Sequence, residues 1–118
     1  MDVRPDHAAR RHQSRPGRLA LVAADLDDLR GPTSGIVELP HRLIWQAPPL
    51  RRFDLDDPYQ LCRMYEIVLR EAVRADELRA WLDGPTLHRL WPDLYLPRGV
   101  RRAWEERHQE LARLRSAA

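Results

Sequence analysis

Apolar residues recur every three or four positions through much of this chain, which is the period of a helix with one side buried. The strongest pattern covers residues 59–74, where most positions are apolar and the polar ones form a single narrow stripe. That stripe consists of Arg63, Glu66, Arg70 and Arg74. Asp57 and Pro58 stand where a helix N-cap and a first helical residue are expected. A stripe this narrow predicts a central helix that is buried on two sides.

Shorter segments also carry helical patterns, and glycine or proline residues separate them. The predicted helices cover residues 19–29, 76–82, 87–91 and 100–115. For the first, the alternative is that Asp25, Asp27 and Asp28 make the segment an irregular approach to the turn that follows. Gly31 follows the first and Gly84 follows the second, as expected of residues that end helices. Asp76 and Thr86 are the expected N-caps of the second and third helices. The last pattern predicts one continuous terminal helix.

Residues 36–46 favour a β-strand because β-branched and aromatic side chains are concentrated there. Pro40 interrupts the segment and has no N–H to donate, so it indicates an edge strand, a bend, or a break into two strands. Residues 51–54 are expected to return as a second strand and complete a hairpin. A two-stranded ribbon is unstable alone, so we expect it to pack on helices 59–74 and 99–115.

These elements predict an α+β fold that is mostly helical, with a short β-ribbon packed on a small bundle of about four to five helices. A chain of 118 residues is expected to form one domain. We assign residues 19–116 to a single compact, mainly helical domain. Residues 1–18 hold five arginines and very few apolar side chains, so we predict a disordered basic N-terminal arm.

The segment 87–108 is rich in aromatic residues and is broken by two prolines. Prolines of this kind fix the direction of the backbone and cannot continue a helix. We expect Trp91, Tyr95 and Trp104 to pack together at a corner where two short helices meet the terminal helix.

Three arginines cluster at the start of the predicted terminal helix, where positive charge opposes the helix dipole. A cluster of residues that is unfavourable for the local structure can indicate a binding site. Arg98, Arg101 and Arg102 are therefore candidate binding residues for a phosphate or an acidic partner. The alternative, which the sequence leaves open, is that Glu105 and Glu106 neutralise two of them and the cluster is ordinary surface.

Composition changes the interpretation of the positive charge. All 20 basic side chains are arginine and the chain has no lysine, which indicates the codon bias of a GC-rich genome. The net charge is only +2, so charge gives weak support for nucleic-acid binding.

No stretch approaches the ~20 apolar residues of a membrane span, and residues 1–18 lack the apolar core of a secretory signal. With its single cysteine, Cys62, the chain fits a reducing compartment. We predict a cytoplasmic location and no membrane partner.

Familiar catalytic and metal-binding spacings are missing from the sequence. The five histidines form no His-x-x-x-His set, and there is no Gly-x-Ser-x-Gly elbow. Residues 25–28 and 54–57 each read Asp-x-Asp-Asp, a pattern that can bind a divalent cation, but helix capping explains Asp57 as well. Cys62 lies within the predicted central helix and is expected to be a small buried thiol. We therefore predict no catalytic residue, no metal and no cofactor.

The two short helices at 76–82 and 87–91 also suggest a helix-turn-helix. A DNA recognition helix needs several exposed turns to reach base edges in the major groove. The second helix is barely a turn and a half, and its leucine and tryptophan side chains favour burial. DNA binding, through the basic arm and the cluster of Arg98, Arg101 and Arg102, is therefore the alternative function.

Four segments of the chain together resemble a family of small actinobacterial proteins. They are Asp28-Leu-Arg-Gly-Pro-Thr33, Asp54-Leu-Asp-Asp57, Tyr65-Glu-Ile-Val-Leu-Arg-Glu-Ala72 and the longer block from Leu90 to His108. Members of this family often carry the label hypothetical protein or transcriptional regulator, and some are encoded beside AbiE-type nucleotidyltransferase toxins. The resemblance implies a cytoplasmic bacterial regulator, with an antitoxin as one form, and supplies no catalytic residues.

The leading prediction is a small non-enzymatic regulatory protein that acts by binding a protein partner, antitoxin-like toward a nucleotidyltransferase toxin. It combines the missing catalytic motifs, the family resemblance and the basic cluster at the start of the terminal helix. The alternative is a DNA-binding transcriptional regulator, whose affinity would fall steeply as salt rises.

Overall fold

The structure of the protein, a computed structural model, describes residues 13–15 and 18–117, with the side chains of residues 20–114. Within these residues it contains five α-helices: α1 Pro58–Glu71, α2 Ala75–Trp81, α3 Gly84–Leu90, α4 Arg98–Arg107 and α5 Gln109–Ala117. Four short strands form two antiparallel pairs: β1 Gln13–Arg15 with β2 Arg18–Leu19, and β3 Ile36–Glu38 with β4 Arg52–Asp54. The fold is α+β and mostly helical, which confirms the predicted class.

The predicted hairpin is confirmed by β3 and β4, which pair with Val37 opposite Phe53. The strand predicted over residues 36–46 is nevertheless too long, because β3 ends before Pro40. Pro40 opens a turn in which its carbonyl accepts a hydrogen bond from the N–H of Leu43 at 3.0 Å. The remainder of the predicted strand is therefore a loop, and the ribbon packs on α1 through β4.

A second hairpin, formed by β1 and β2, lies against α4 through β1. The packing that was predicted for one ribbon is thus divided between two ribbons, one on α1 and the other on α4. Of the predicted arm, residues 1–12 and 16–17 lie outside the described residues. Residues 13–15 and Arg18 belong to this hairpin.

The helix predicted over residues 19–29 does not form. The chain leaves β2 without helical structure, and a single 3-10 turn follows at Leu26–Asp28. The Asp25 carboxylate accepts a hydrogen bond from the N–H of Asp27 at 2.9 Å and so starts this short turn. Leu29 then leaves the turn in an extended conformation. The periodic pattern was misleading because the aspartates cap a turn instead of continuing a helix.

Residues 29–31 and 82–84 pair through their backbones as a short antiparallel bridge. The N–H groups of Gly31 and Gly84 each donate a hydrogen bond across this bridge at 2.8 Å. The sequence assigned both glycines to helix ends. Gly84 is instead the first residue of α3, and both glycines stand where two backbones approach closely.

Aspartates cap two of the helices. The Asp57 carboxylate accepts a hydrogen bond from the N–H of Tyr59 at 3.0 Å, which confirms the predicted start of α1. Asp83, not Thr86, caps α3. Its carboxylate accepts hydrogen bonds from both the N–H and the hydroxyl of Thr86, at 3.2 and 2.7 Å. Thr86 is therefore not the N-cap that the sequence predicted, because α3 begins earlier than its apolar pattern suggests.

The terminal helix predicted over residues 100–115 is two helices, separated at His108, which has a φ of −125° and a ψ of 87°. Nε2 of the buried His108 ring lies 2.7 Å from the carbonyl oxygen of Ala23. Because a carbonyl only accepts, this nitrogen donates the hydrogen bond. The Arg107 guanidinium also donates to the carbonyl of Ala24, at 3.2 and 3.3 Å. The break thus holds the segment before the first 3-10 turn against the end of α4.

One core lies between these elements. Its largest fully buried side chains come mainly from the helices and from the corner after α3. They include Tyr65, Met64, Ile67, Leu78, Leu87, Trp91 and Trp104. The predicted burial of α1 on two sides is confirmed, since both flanks of its polar stripe contribute to this core.

Tyr65 carries a buried phenol whose oxygen accepts a hydrogen bond from the N–H of Asp83 at 2.8 Å. Burial raises the pKa of Tyr65 to about 12 from an ordinary value of 10.0. In the unfolded chain the phenol ionises at the lower value, so its contribution to stability is complete below about pH 10 and is lost as the pH rises toward 12.

For the Tyr65 phenol, we expect the free energy of unfolding, measured by urea denaturation, to fall between about pH 10 and pH 12 and to fall less in Tyr65→Phe. An identical pH dependence in the variant would contradict this assignment.

Candidate functional site

The predicted corner forms, but with two aromatic rings instead of three. Trp91 and Trp104 are fully buried, and their ring centroids lie 6.4 Å apart. The indole N–H of Trp91 donates a hydrogen bond to the Glu105 carboxylate at 2.9 Å. Tyr95 does not pack in the corner as predicted, because its side chain is 85% exposed. Its backbone N–H is held by the Glu66 carboxylate at 2.8 Å, which ties the chain after the corner to α1.

Arg101 is part of the corner itself. Its guanidinium carbon lies 4.9 Å from the centroid of the Trp91 ring, and its N–H groups donate to the backbone carbonyls of Trp91 and Leu94. It also forms an ion pair with Glu105, one helical turn further along, at 3.7 Å. Glu105 therefore neutralises one of the three arginines, as the sequence allowed. The side chain of Arg101 is only 16% exposed. Arg101 therefore orders the turn into α4, and we expect its substitution to disturb the fold as well as any binding.

The three predicted arginines line one open hollow of about 770 Å³. We call it the arginine hollow. Its lining comprises Tyr95, Leu96, Pro97, Arg98, Arg101, Arg102, Glu105, Glu106 and Ala112. Arg98 and Arg102 are exposed on its surface, one helical turn apart. The structure thus brings the three predicted arginines together. Arg101 is largely buried, whereas Arg98 and Arg102 are exposed.

The beginning of α4 adds positive potential to the arginine hollow. Pro97 stands at its N-cap, no side chain accepts a hydrogen bond there, and the first turn contains no acidic residue. The positive end of the helix dipole therefore lies beside Arg98 without a capping carboxylate of its own. The sequence predicted this excess of positive charge from the three arginines at the start of the terminal helix.

No protein-family model, no curated protein and no solved structure matches this chain. The resemblance to the small actinobacterial family therefore stays a prediction from the sequence.

A second hollow, of about 310 Å³, was not predicted from the sequence. We call it the tryptophan hollow. Its lining comprises Leu43, Ile44, Trp45, Gln46, Arg63, Ile67, Arg70 and Glu71. Trp45 is 80% exposed, and its ring centroid lies 4.9 Å from that of His41. Sequence reasoning placed Trp45 in a strand because tryptophan favours strands. The available signal for a loop was its position between Pro40 and the pair Pro48 and Pro49.

The loop that carries Trp45 is fixed to the body of the protein. Arg42 forms an ion pair with the buried carboxylate of Glu77 at 2.7 Å. The same carboxylate accepts hydrogen bonds from the N–H groups of Val73 and Arg74, at 2.9 and 3.1 Å. Glu77 therefore does the capping at α2 that was predicted for Asp76. The loop is also held at its other end, where Arg51 donates to the carbonyl of Gln46 at 2.8 Å.

The two hollows are joined across the polar stripe of α1. Arg63 lines the tryptophan hollow and lies 3.9 Å from the carboxylate of Glu66. Glu66 in turn holds the backbone of Tyr95, which lines the arginine hollow. Arg63 and the largely buried Glu66 therefore connect the tryptophan hollow to the segment that carries Tyr95. Glu66 does not pair with Arg70 one turn further along α1, since Arg70 pairs with Glu71 at 3.1 Å.

The aspartates of the second Asp-x-Asp-Asp motif make local hydrogen bonds, and Cys62 lies where its thiolate is disfavoured. Besides the capping by Asp57, the Asp54 carboxylate accepts a hydrogen bond from the N–H of Asp56 at 2.9 Å. Among the described residues, no three His, Cys, Asp or Glu side chains are grouped closely enough to hold a metal ion. Burial raises the pKa of the Cys62 thiol, and Glu66 and Asp93 raise it further, so the thiolate is disfavoured.

None of the described helices combines the length and the apolar character that a membrane span requires.

Proposed function

We propose that this protein is a small non-enzymatic regulator that acts by binding a protein partner through the surfaces of the two hollows. The observation that carries the proposal is the exposure of an aromatic ring in each hollow, Trp45 at 80% and Tyr95 at 85%. Tryptophan, tyrosine and arginine are the residues most enriched among those that dominate binding energy at protein interfaces. Arg63 and Arg102 supply arginine beside each ring.

The surface is ordered before any partner arrives, which supports a binding role. Trp45 stands on a loop held at both ends, by the Arg42–Glu77 ion pair and by Arg51. The backbone of Tyr95 is fixed by Glu66. Ordering side chains and loops is a main cost of association, so a surface that is already held in place favours tight binding.

The sequence resemblance supports a toxin enzyme, of the nucleotidyltransferase type, as the partner. In this proposal the protein is antitoxin-like, and it acts by occupying its partner's surface instead of by chemistry of its own. A cytoplasmic location is part of the same proposal.

The DNA-binding alternative receives less support from the geometry. α3, which would be the recognition helix, has seven residues, and Gly84, Thr86, Leu87 and Leu90 are buried. His88 and Arg89 remain exposed for contact with base edges. A helix this short cannot present several turns to the major groove.

Expression of the tagged full-length chain in its native host tests the proposal. We expect the chain to elute in size-exclusion chromatography as a complex of fixed stoichiometry with one protein, identified by mass spectrometry. We also expect Trp45→Ala and Tyr95→Ala each to reduce recovery of that protein about tenfold or more. Ile36→Ala is the matched control, because Ile36 is 72% exposed and lines neither hollow.

Two results would overturn the proposal. One is elution as a free chain at every salt concentration. The other is equal recovery of the partner by the control and by both aromatic variants. Retention of a promoter fragment that is lost steeply as salt rises would favour the DNA-binding alternative instead.

A further inference from the structure

The exposed charge of the arginine hollow is the starting observation. Arg101 and Glu105 face one another at 3.7 Å and are largely buried, so their charges cancel within the corner. Arg98 and Arg102 are exposed, and Glu106 is the exposed acid beside them. The surface of the hollow therefore carries an excess of positive charge, which the uncapped start of α4 increases.

Apolar groups lie beside these guanidinium groups. Leu96, Pro97 and Ala112 form the apolar part of the lining. A ligand that fills the hollow must therefore combine negative charge with apolar surface. Nucleic acid fits this less well, because a sugar–phosphate backbone offers negative charge without an apolar side chain for this part of the lining.

We infer that the partner in the proposed function contributes an acidic amphipathic segment to the arginine hollow. Its carboxylates pair with Arg98 and Arg102, and an apolar side chain between them rests on Leu96 and Pro97. Arg98 and Arg102 are four residues apart on α4. They therefore match carboxylates about one helical turn apart, as Glu and Asp stand at i and i+4 on a helix. Arginine binds carboxylate through two parallel hydrogen bonds, which adds geometric selectivity.

This inference rests on the proposed function and can fail separately from it. The first test is reversal of charge by Arg98→Glu with Arg102→Glu, measured on the complex from the native host. We expect recovery of the partner to fall at least about tenfold, since like charges would then face one another. The matched control is Arg79→Glu with Arg89→Glu, which changes the net charge equally at exposed positions outside both hollows.

The composition of the chain provides a second, independent test. Because the sequence has no lysine, Arg102→Lys introduces a unique side-chain amine while keeping the positive charge. A water-soluble carbodiimide then joins this amine to a carboxylate in contact with it. The carboxylate loses its oxygen to the carbodiimide, which becomes a urea, and an amide bond forms. We expect a cross-link from position 102 to an Asp or Glu of the partner, and none from position 79 in Arg79→Lys.

The outcomes separate the two levels of the proposal. Absence of any complex with the unaltered chain overturns both the proposed function and this inference. A complex that withstands the double reversal, with no cross-link from position 102, leaves the proposed function standing and overturns the acidic segment. Circular dichroism confirms the fold of each variant, and a variant that fails to fold is replaced by the cross-linking test alone.

Discussion

Trp104→Ala is expected to lower the free energy of unfolding by about 3 to 5 kcal/mol, enough to unfold much of the chain. The Trp104 ring is fully buried, and its centroid lies 6.4 Å from that of Trp91 and 5.8 Å from that of His108. Its removal leaves a cavity where α4 meets the corner, and the surrounding rings can only partly close it. Urea denaturation followed by far-ultraviolet circular dichroism measures the loss.

Trp104→Phe is the matched control. The Trp104 indole N–H is buried and has no hydrogen-bond partner among the described residues. Phenylalanine removes that donor while keeping most of the ring, so we expect it to cost clearly less than the alanine variant. Equal losses for the two variants would show that ring packing is not what Trp104 contributes.

Gly31→Ala is expected to cost about 3 kcal/mol, the second large effect. A Cβ added at Gly31 would lie 2.6 Å from the carbonyl carbon of Trp81 and 2.8 Å from the backbone nitrogen of Leu82. Backbone atoms cannot move aside as a flexible side chain can. The substitution must therefore separate the two segments and break the hydrogen bond from the Gly31 N–H to Leu82.

Gly35→Ala provides the comparison for that prediction. Gly35 has a φ of +80°, but a Cβ there would meet nothing within 4 Å. Its cost comes only from placing a side chain in the left-handed region, roughly 1 to 2 kcal/mol. Thermal and urea denaturation of the two variants should rank Gly31→Ala as the more damaging. The reverse order would contradict the close approach at the bridge.

Local signals were sufficient for the elements whose causes are local. α1 follows from its own periodicity and from the cap formed by Asp57 with Pro58. The hairpin follows from two β-favouring runs, separated by prolines. The break at His108 was not predictable in this way, because the carbonyl that its ring binds lies 85 residues away in the sequence. The role of Gly84 likewise depends on a distant segment, residues 29–31.

The candidate site was predictable only where its features are local in the sequence. The three arginines at the start of the terminal helix are visible in the sequence, so Arg98, Arg101 and Arg102 could be selected. The dual role of Arg101 requires the ring of Trp91 and two carbonyls in three dimensions. The exposure of Trp45 and Tyr95 contradicts the usual burial of aromatic rings, and no periodic pattern in the sequence separates an exposed ring from a buried one.

The contacts of Arg107 and His108 with the carbonyls of Ala24 and Ala23 also impose an order on biosynthesis. Ribosomes add residues from the N-terminus, so the segment around Ala23 emerges long before the residues that hold it. Contacts that span 83 and 85 residues are among the slowest to close, because the intervening chain must first be ordered. The segment around Ala23 therefore reaches its native position only after α4 has been synthesised, and until then it is accessible to chaperones and proteases.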